Sequence, residues 1–99
     1  MTQIIPFIPK DGSGVSITPT TTSALTALGS DKNQVVITNT GTVNCHVRLV
    51  KDAGTATAAD YIVLPNTQIV LTSHKLFNNI ACISESGTGA LHVILGEGF

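Results

Sequence analysis

The chain has 99 residues, of which 42% are hydrophobic and 11% are charged, and it carries a formal net charge of -1. This length fits one small domain, and a hydrophobic chain with little net charge is not expected to be disordered. The five Lys and Arg residues are scattered, which argues against nucleic-acid binding, because that function needs a basic patch. No apolar run approaches the roughly 18–20 residues of a membrane helix, so a membrane partner is not expected either.

The first residues do not have the pattern of a secretion signal. The sequence MTQIIPFIPK lacks a positively charged start, and Pro6 and Pro9 interrupt its short apolar run. We therefore expect synthesis in a cytoplasm, which is a reducing compartment. The two cysteines, Cys45 and Cys82, are then expected to be buried thiols, with a single disulfide as the alternative.

Residues 1–13 are predicted to form an extended N-terminal arm. Its two prolines fix φ, remove backbone donors and push the preceding residues to extended geometry. The arm carries four large apolar side chains, which are Ile4, Ile5, Phe7 and Ile8. Residues 11–14 (DGSG) follow as a flexible joint. The arm can therefore lie on a neighbouring molecule, or it can fold back as an added edge strand of its own domain.

Residues 14–99 are predicted to form one β-sandwich domain. Thr, Ile and Val account for 33 of the 99 residues, and β-branched residues fit a pleated sheet better than a helix. Short alternating or apolar stretches recur between turn residues. In chain order, the predicted strands are 15–18, 21–28, 34–39, 43–49, 61–64, 68–72, 76–84 and 90–95. Segment 20–28 is the one that could instead be a helix.

Tight turns separate these strands. Gly41 is expected to take a positive φ, and Pro65 and Asn66 suit the central positions of a type I turn. The predicted fold is therefore all-β, an antiparallel β-sandwich of seven or eight short strands with the extended N-terminal arm. Both a jelly-roll and an Ig-like sandwich remain open, because the strand order cannot be read from the sequence.

The sequence contains none of the common enzyme motifs. It has no Gly-x-Ser-x-Gly elbow, P-loop, His-Glu-x-x-His or Cys-x-x-Cys motif. His46 and His92 fall in predicted strands and are expected to face outward, and a metal or catalytic site that uses both is the minor alternative. A sugar-binding sandwich would need exposed aromatic side chains, but Tyr61 and Phe77 are expected in the core. We therefore predict a non-enzyme without a cofactor or a metal ion.

The low charge points to a subunit of a larger assembly. Soluble surfaces usually carry about 25–35% charged residues, and exposed strand edges are usually blocked by lysine. Burying the four apolar arm residues roughly balances the cost of ordering the arm, so an isolated arm gains little. Hydrogen bonds to a neighbour's sheet edge, or several arms held in one oligomer, would favour the ordered state.

Several segments together resemble a known group of proteins. They are residues 34–41 (QVVITNTG), 45–49 (CHVRL), 56–60 (ATAAD), 64–65 (LP), 80–84 (IACIS) and 96–99 (GEGF). These patterns are similar to those of small β-sandwich proteins encoded among the structural genes of tailed phages and prophages. The resemblance covers about residues 30–99, contains no catalytic residue and does not extend to residues 1–29.

The resemblance implies a virion protein, specifically a capsid decoration (cement) protein on the capsid exterior that bridges subunits of the major capsid protein. The expected partners are the major capsid protein of the same phage and further copies of the chain, as a homotrimer. The arm argument supplies the expected anchors, which are Ile4, Ile5, Phe7, Ile8 and, as a weaker one, Phe99. The alternative is a tail- or collar-associated module, either structural or binding a host glycan.

Overall fold

The computed structural model describes residues 8–10, 12–29, 32–72 and 77–97. Within these ranges the secondary structure consists of strands and turns, and no helix there is long and apolar enough to cross a membrane. The nine strands are β1 (Ile8–Pro9), β2 (Val15–Ile17), β3 (Ala24–Ala27), β4 (Gln34–Asn39), β5 (Cys45–Val50), β6 (Tyr61–Val63), β7 (Gln68–Thr72), β8 (Asn79–Ser84) and β9 (Leu91–Glu97).

The strands form two antiparallel sheets. Sheet I has the order β1-β9-β4-β7, with β2 also paired to β9, and sheet II has the order β3-β8-β5-β6. β1 pairs with β9 at Gly96 and Glu97, and β2 pairs with it at residues 91–93, so β1 and β2 share one edge of sheet I. Each sheet therefore has four strand positions, and the predicted all-β sandwich is confirmed.

The strand pairing is nested along the chain. β5 pairs with β6, β4 with β7, β3 with β8, and β2 with β9. From β2 onward, every connection except that from β5 to β6 crosses between the two sheets. This winding is that of a jelly roll, which distinguishes between the two predicted sandwiches.

The core lies between the sheets and follows the two-residue alternation of the strands. Its fully buried members are Val35, Ile37, Cys45, Val47, Val63, Ile80, Cys82, Leu91, Val93 and Leu95. Burial of each aliphatic side chain stabilises the fold by roughly 1.5–3 kcal/mol. The two cysteines are free and buried, as expected from the sequence. Burial raises the pKa of both thiols, and together with the neighbouring Cys45 it raises that of Cys82 to about 12.

One buried amide ties the two sheets together. Asn39, at the end of β4, is fully buried, and its Nδ2 donates to the carbonyl oxygen of Val43 at 3.0 Å and to that of Val63 in β6 at 2.9 Å. Its Oδ1 accepts from the backbone N–H of Gly41 at 2.9 Å. This side chain therefore fixes the turn after β4 and holds it against the edge strand of the other sheet.

Two local predictions are corrected by the structure, and one open alternative is excluded. Gly41 does not take a positive φ; glycine is needed there because an added Cβ would lie 3.0 Å from the backbone nitrogen of Ala90. Asn66 has a φ of 59°, which does not fit the type I turn and instead suits the third position of a type II turn. Segment 24–27 is a strand, so the helical alternative for residues 20–28 is wrong.

Candidate functional site

Of the predicted anchors, Ile8 falls within the described residues, and it lies at one edge of sheet I. Ile4, Ile5, Phe7 and Phe99 fall outside the described residues, and Ile8 contributes its backbone to β1. Within the described part of the predicted arm, residues 8–9 are paired to the domain's own β9. Residues 1–7 remain a predicted contact segment.

Residues 1–7 and 98–99 continue from the same place in the fold. Ile8 is the pairing partner of Glu97, and Pro9 is that of Gly96. The ammonium group of Lys32 lies 3.9 Å from the Glu97 carboxylate, so one ion pair borders this place. We call it the anchor corner, defined by Ile8, Pro9, Gly96 and Glu97. The anchors before Ile8 and the anchor Phe99 are thus attached to adjacent backbone positions, although the sequence separates them by most of its length.

A hydrogen-bonded turn holds β1 in place. The N–H of Lys10 donates to the Leu95 carbonyl at 2.7 Å, and the Ser13 hydroxyl donates to the Lys10 carbonyl at 2.8 Å. The same hydroxyl oxygen accepts from the N–H of Leu95 at 3.1 Å. Gly12 supplies the positive φ of 71° that the turn needs. The segment predicted as a flexible joint is therefore a turn tied to β9.

The outer face of sheet II is covered by the loop of residues 51–60. Ser23 and Arg48 project outward from this sheet, and both contact the loop: the N–H of Ala56 donates to the Ser23 hydroxyl at 2.9 Å, and Arg48 Nη1 donates to the Thr55 carbonyl at 3.4 Å. Ala56 is buried as a result. His46 also projects outward from β5, yet it is only 5% exposed because the loop lies over it. The prediction that His46 faces outward is confirmed, but the side chain is buried by the covering loop.

His46 is held by two acceptors. Its Nδ1 lies 3.0 Å from the carbonyl oxygen of Asp60, and its Nε2 lies 2.7 Å from Glu85 Oε2. A carbonyl oxygen and an ionised carboxylate both accept, so the imidazolium, in which both ring nitrogens donate, is the form of the ring that satisfies both contacts. Burial alone would lower the pKa of His46, but the hydrogen bonds to Asp60 and Glu85 outweigh it and raise the pKa.

The partner carboxylate is itself fixed. Asn44 Nδ2 donates to Glu85 Oε1 at 3.2 Å, and the Glu85 N–H donates to the Asn44 carbonyl at 3.0 Å. The hydrogen bond from His46, followed by that from Asn44, lowers the pKa of Glu85. The cluster therefore joins β5, the turn after β8 and the covering loop, and each of its polar groups has a structural partner. The cluster therefore stabilises the packing of these three segments.

The alternative site that uses both histidines is excluded by their positions. His46 lies on the outer face of sheet II, whereas His92 lies in β9 on the outer face of sheet I. The whole core separates them, so they cannot ligate one metal ion within a molecule. In the described ranges, no group of three or more His, Cys, Asp or Glu residues is placed to hold a metal ion.

The side of the sandwich that carries β6 and β7 is apolar and uncharged. Both are edge strands, one in each sheet, and residues 61–72 (YIVLPNTQIVLT) contain no charged residue. Four large apolar side chains are exposed here, namely Tyr61 (53%), Ile62 (40%), Leu64 (49%) and Val70 (54%). The prediction that Tyr61 belongs to the core is wrong, because its strand is a short edge strand. The uncharged run was the signal in the sequence that could have identified this surface.

No family model and no curated protein matches the chain. Among solved structures, it is similar to PirA, with a TM-score of 0.60 and 14% identity, over 87% of this chain and 95% of that chain. It is also similar to the SPBc2 prophage-derived protein YomS, with a TM-score of 0.54 and 15% identity, over 97% of each chain. At these identities the likeness shows the fold alone.

The jelly roll also matches part of an iron protein. Streptomyces albus HEPD, solved with its substrate 2-hydroxyethylphosphonate and Fe(II), superposes with a TM-score of 0.52 and 15% identity. The match covers 94% of this chain but 21% of HEPD, so the chain spans about a fifth of that protein. The shared feature is again the fold, which hosts many unrelated functions.

Proposed function

We propose that the chain is a non-enzymatic structural protein of a phage particle, which decorates the capsid exterior and bridges subunits of the major capsid protein. The observation that carries the proposal is the anchor corner. It attaches the apolar segment of residues 1–7 and the aromatic Phe99 to adjacent positions on one sheet edge. Anchors that leave from one point can enter the same recess on a partner, and later contacts then form within one complex.

The surface of the domain supports the same role. Only 11% of the residues are charged, so packing against protein on several sides requires little desolvation of charge. The anchor corner and strand β7 lie at opposite edges of sheet I. A bridging protein needs two separate attachment regions: the anchor corner is proposed to contact the capsid protein, and the opposite edge stays open to a second copy of the chain. The prophage-derived YomS has the same fold over nearly the full length of both chains, which is consistent with a phage origin.

The proposal is tested by removing the anchors. A variant lacking residues 1–7 should keep the sandwich, because the first described strand pair starts at Ile8. It should bind capsids of the phage that encodes the chain at least about a hundredfold more weakly, because each buried apolar anchor contributes roughly 1.5–3 kcal/mol. Co-sedimentation with purified capsids measures the binding, and circular dichroism checks the fold.

A control and a copy count complete the test. Leu25→Asp changes an exposed apolar residue on β3, away from the anchor corner, and should leave binding unchanged. Decoration predicts hundreds of copies for each particle. Unchanged binding after loss of residues 1–7 would rule out the arm as the anchor. A count of only a few copies for each particle would instead indicate a tail or collar protein.

One observation favours a second candidate, a host-glycan-binding module. Tyr61 is 53% exposed beside Asp60, and an exposed aromatic ring next to a polar group is a common sugar platform. Jelly rolls include lectin domains. Glycan-array binding that disappears in Tyr61→Ala, while Leu64→Ala still binds, would establish this function. Absence of binding to bacterial surface glycans would remove it.

A further inference from the structure

Within the described ranges, strand β7 has a free hydrogen-bonding edge. Its neighbour on one side is β4, and no described strand lies on its other side. In an antiparallel pair, alternate residues direct both backbone groups toward the partner. The N–H of Asn39 donates to the Thr67 carbonyl at 2.9 Å, which places Asn39, Ile37 and Val35 of β4 in the bonded pairs. The residues of β7 that direct their N–H and C=O groups away from β4 are therefore Gln68, Val70 and Thr72.

The ladder on the other side of β4 confirms this alternation. The N–H of Thr40 donates to the Ala90 carbonyl at 3.0 Å, so residues 34, 36, 38 and 40 of β4 bond to β9. Their partners in β7, which include Val70 opposite Val36, consequently have no bond from β4. Six backbone groups are thus aligned at the free edge, with Val70 at their centre.

We propose that β7 pairs antiparallel with β7 of a second copy, across a two-fold axis that passes between the Val70 residues of the two copies. In this register Val70 faces Val70 of the second copy, and Gln68 faces Thr72 in both directions. All three facing positions are hydrogen-bonded pairs, so the six free backbone groups of each copy form six hydrogen bonds between copies. The contact is isologous, since each copy uses the same strand.

The side chains on the outer face of sheet I fit the same axis. Val70, Val36 and Ile94 lie side by side in one row across β7, β4 and β9. Val36 is 7% exposed, whereas Val70 at the open end of the row is 54% exposed. Two-fold pairing joins the rows of two copies into one continuous row of six aliphatic side chains. The exposed end of each row is then covered by the other.

The absence of charge on β7 favours a second copy of the chain as the partner of this edge. β7 carries no charged residue, and its outward side chains Gln68 and Thr72 are neutral hydrogen-bonding groups. An edge strand that must stay single usually carries lysine, proline or a bulge, and β7 has none of these. A neutral edge does not repel its own copy, and the register above pairs amide with hydroxyl and valine with valine.

The pairing goes beyond the proposed function and can be tested without a capsid. It also gives the bridge a geometry, because the two anchor corners fall at the far ends of one continuous sheet of eight strand positions. Strands are spaced about 4.8 Å apart, which separates the corners by roughly 34 Å. Each corner can then hold a different capsid subunit.

The first experiment measures the mass in solution of the full chain across a concentration series, by sedimentation equilibrium. The native chain should reach twice its 10.3 kDa mass. Val70→Lys places two like charges face to face and should give a monomer at every concentration, and so should Val70→Pro, which removes an N–H only from the free edge. Leu64→Lys, an equally exposed position outside β7, should remain dimeric.

The second experiment tests the register by cysteine cross-linking. Val70→Cys should form a disulfide-linked dimer under mild oxidation, because facing Cα atoms about 5.5 Å apart are within disulfide range. Thr72→Cys alone and Gln68→Cys alone should not cross-link, whereas a mixture of the two should. The native Cys45 and Cys82 are buried and should stay reduced.

Three results would overturn the pairing. They are a native chain that stays monomeric at all concentrations, a Val70→Lys variant that is correctly folded and still dimeric, and cross-linking of Thr72→Cys as fast as Val70→Cys. A monomeric chain that still decorates capsids through residues 1–7 would leave the proposed function intact.

Discussion

The side chain of His46 connects three parts of the chain through hydrogen bonds. It lies in β5, and its two ring nitrogens bond to Asp60 in the covering loop and to Glu85 after β8. The sequence placed it correctly on the outward face of a strand. It could not show the burial, because the loop of residues 51–60 that covers the face has no periodic pattern. Two acceptors stabilise the charged form of the buried histidine, and this gives the fold a pH dependence.

The first prediction concerns that pH dependence. The pKa of His46 is raised in the folded state, so its contribution to stability is fully present below the ordinary histidine pKa of about 6.5 and is lost as pH rises through the folded-state value. The lowered pKa of Glu85 gives a contribution that is present above the ordinary glutamate value and lost as pH falls. The pair should therefore stabilise the fold most between about pH 4.3 and 6.5.

Urea unfolding of the native chain and of Glu85→Gln at a series of pH values measures this effect. The difference between their unfolding free energies should be largest in the window just given and should shrink as pH rises above it. Glu97→Gln is the matched control, because it removes a carboxylate in the other sheet, beside Lys32. Its difference in unfolding free energy from the native chain should not change over the pH range in which histidine titrates. A constant difference from pH 5 to 9 would contradict the charged ring.

The second prediction concerns Asn39. Asn39→Leu keeps the size of the side chain but leaves two buried carbonyls and the Gly41 N–H without their partner. We expect a loss of about 2–4 kcal/mol in the free energy of unfolding, because buried polar groups without partners are costly. Gln68→Ala removes an exposed bond to Thr38 and no buried one, and it should cost well under half as much. Similar losses in both variants would mean that the amide does not join the sheets.

At the scale of elements, two strands with a continuous apolar centre were predicted with their observed bounds. β4 and β7 have the predicted bounds, because their inward residues are aliphatic and turn residues flank them. The edges were harder: Tyr61 is predicted in the core because its stretch is apolar, yet only Val63 of β6 is buried. An edge strand and a central strand have the same local sequence requirements, and only their neighbours distinguish them.

The third prediction belongs to the turn between β1 and β2. Ser13→Ala removes the hydroxyl that bridges Lys10 and Leu95. We expect a loss of about 1 kcal/mol and much faster hydrogen exchange at the amides of Lys10 and Leu95, with little change in β4. Ser16→Ala, on the exposed face of β2, should alter neither. Exchange by NMR measures both amides, and unchanged protection of Leu95 would show that Ser13 does not hold β1.

At the scale of the whole molecule, the sequence predicted the fold class but not the strand order. Alternation reports which side of a strand is buried, whereas the order depends on pairs that are far apart in the chain. The ladder between β1 and β9 joins Ile8 to Glu97 and has no local signal. The anchor corner follows from that ladder, so the sequence could name the anchor residues without showing that they share one place.

The fourth prediction follows from the nested pairing. Each further strand pair, from β4–β7 to β2–β9, joins residues that lie farther apart in the sequence than those of the pair inside it. Most native contacts are therefore non-local, and we expect folding in milliseconds to seconds. Stopped-flow circular dichroism after dilution from urea measures the rate. Variants in the β5–β6 region should slow folding more than variants in β1, since the outer ladder can close only after the inner ones. Microsecond folding would contradict this order.

Because Ile8 and Glu97 are paired, the chain is suited to circular permutation. A connector of a few residues could join position 97 to position 8, and the polypeptide could be reopened at the turn of Pro65 and Asn66, with every ladder retained. In such a circular permutant, β9 and β2 become near neighbours in sequence, so the slowest closure becomes a local one. Its new ends would emerge at the far edge of the sandwich, where a fused cargo could be displayed.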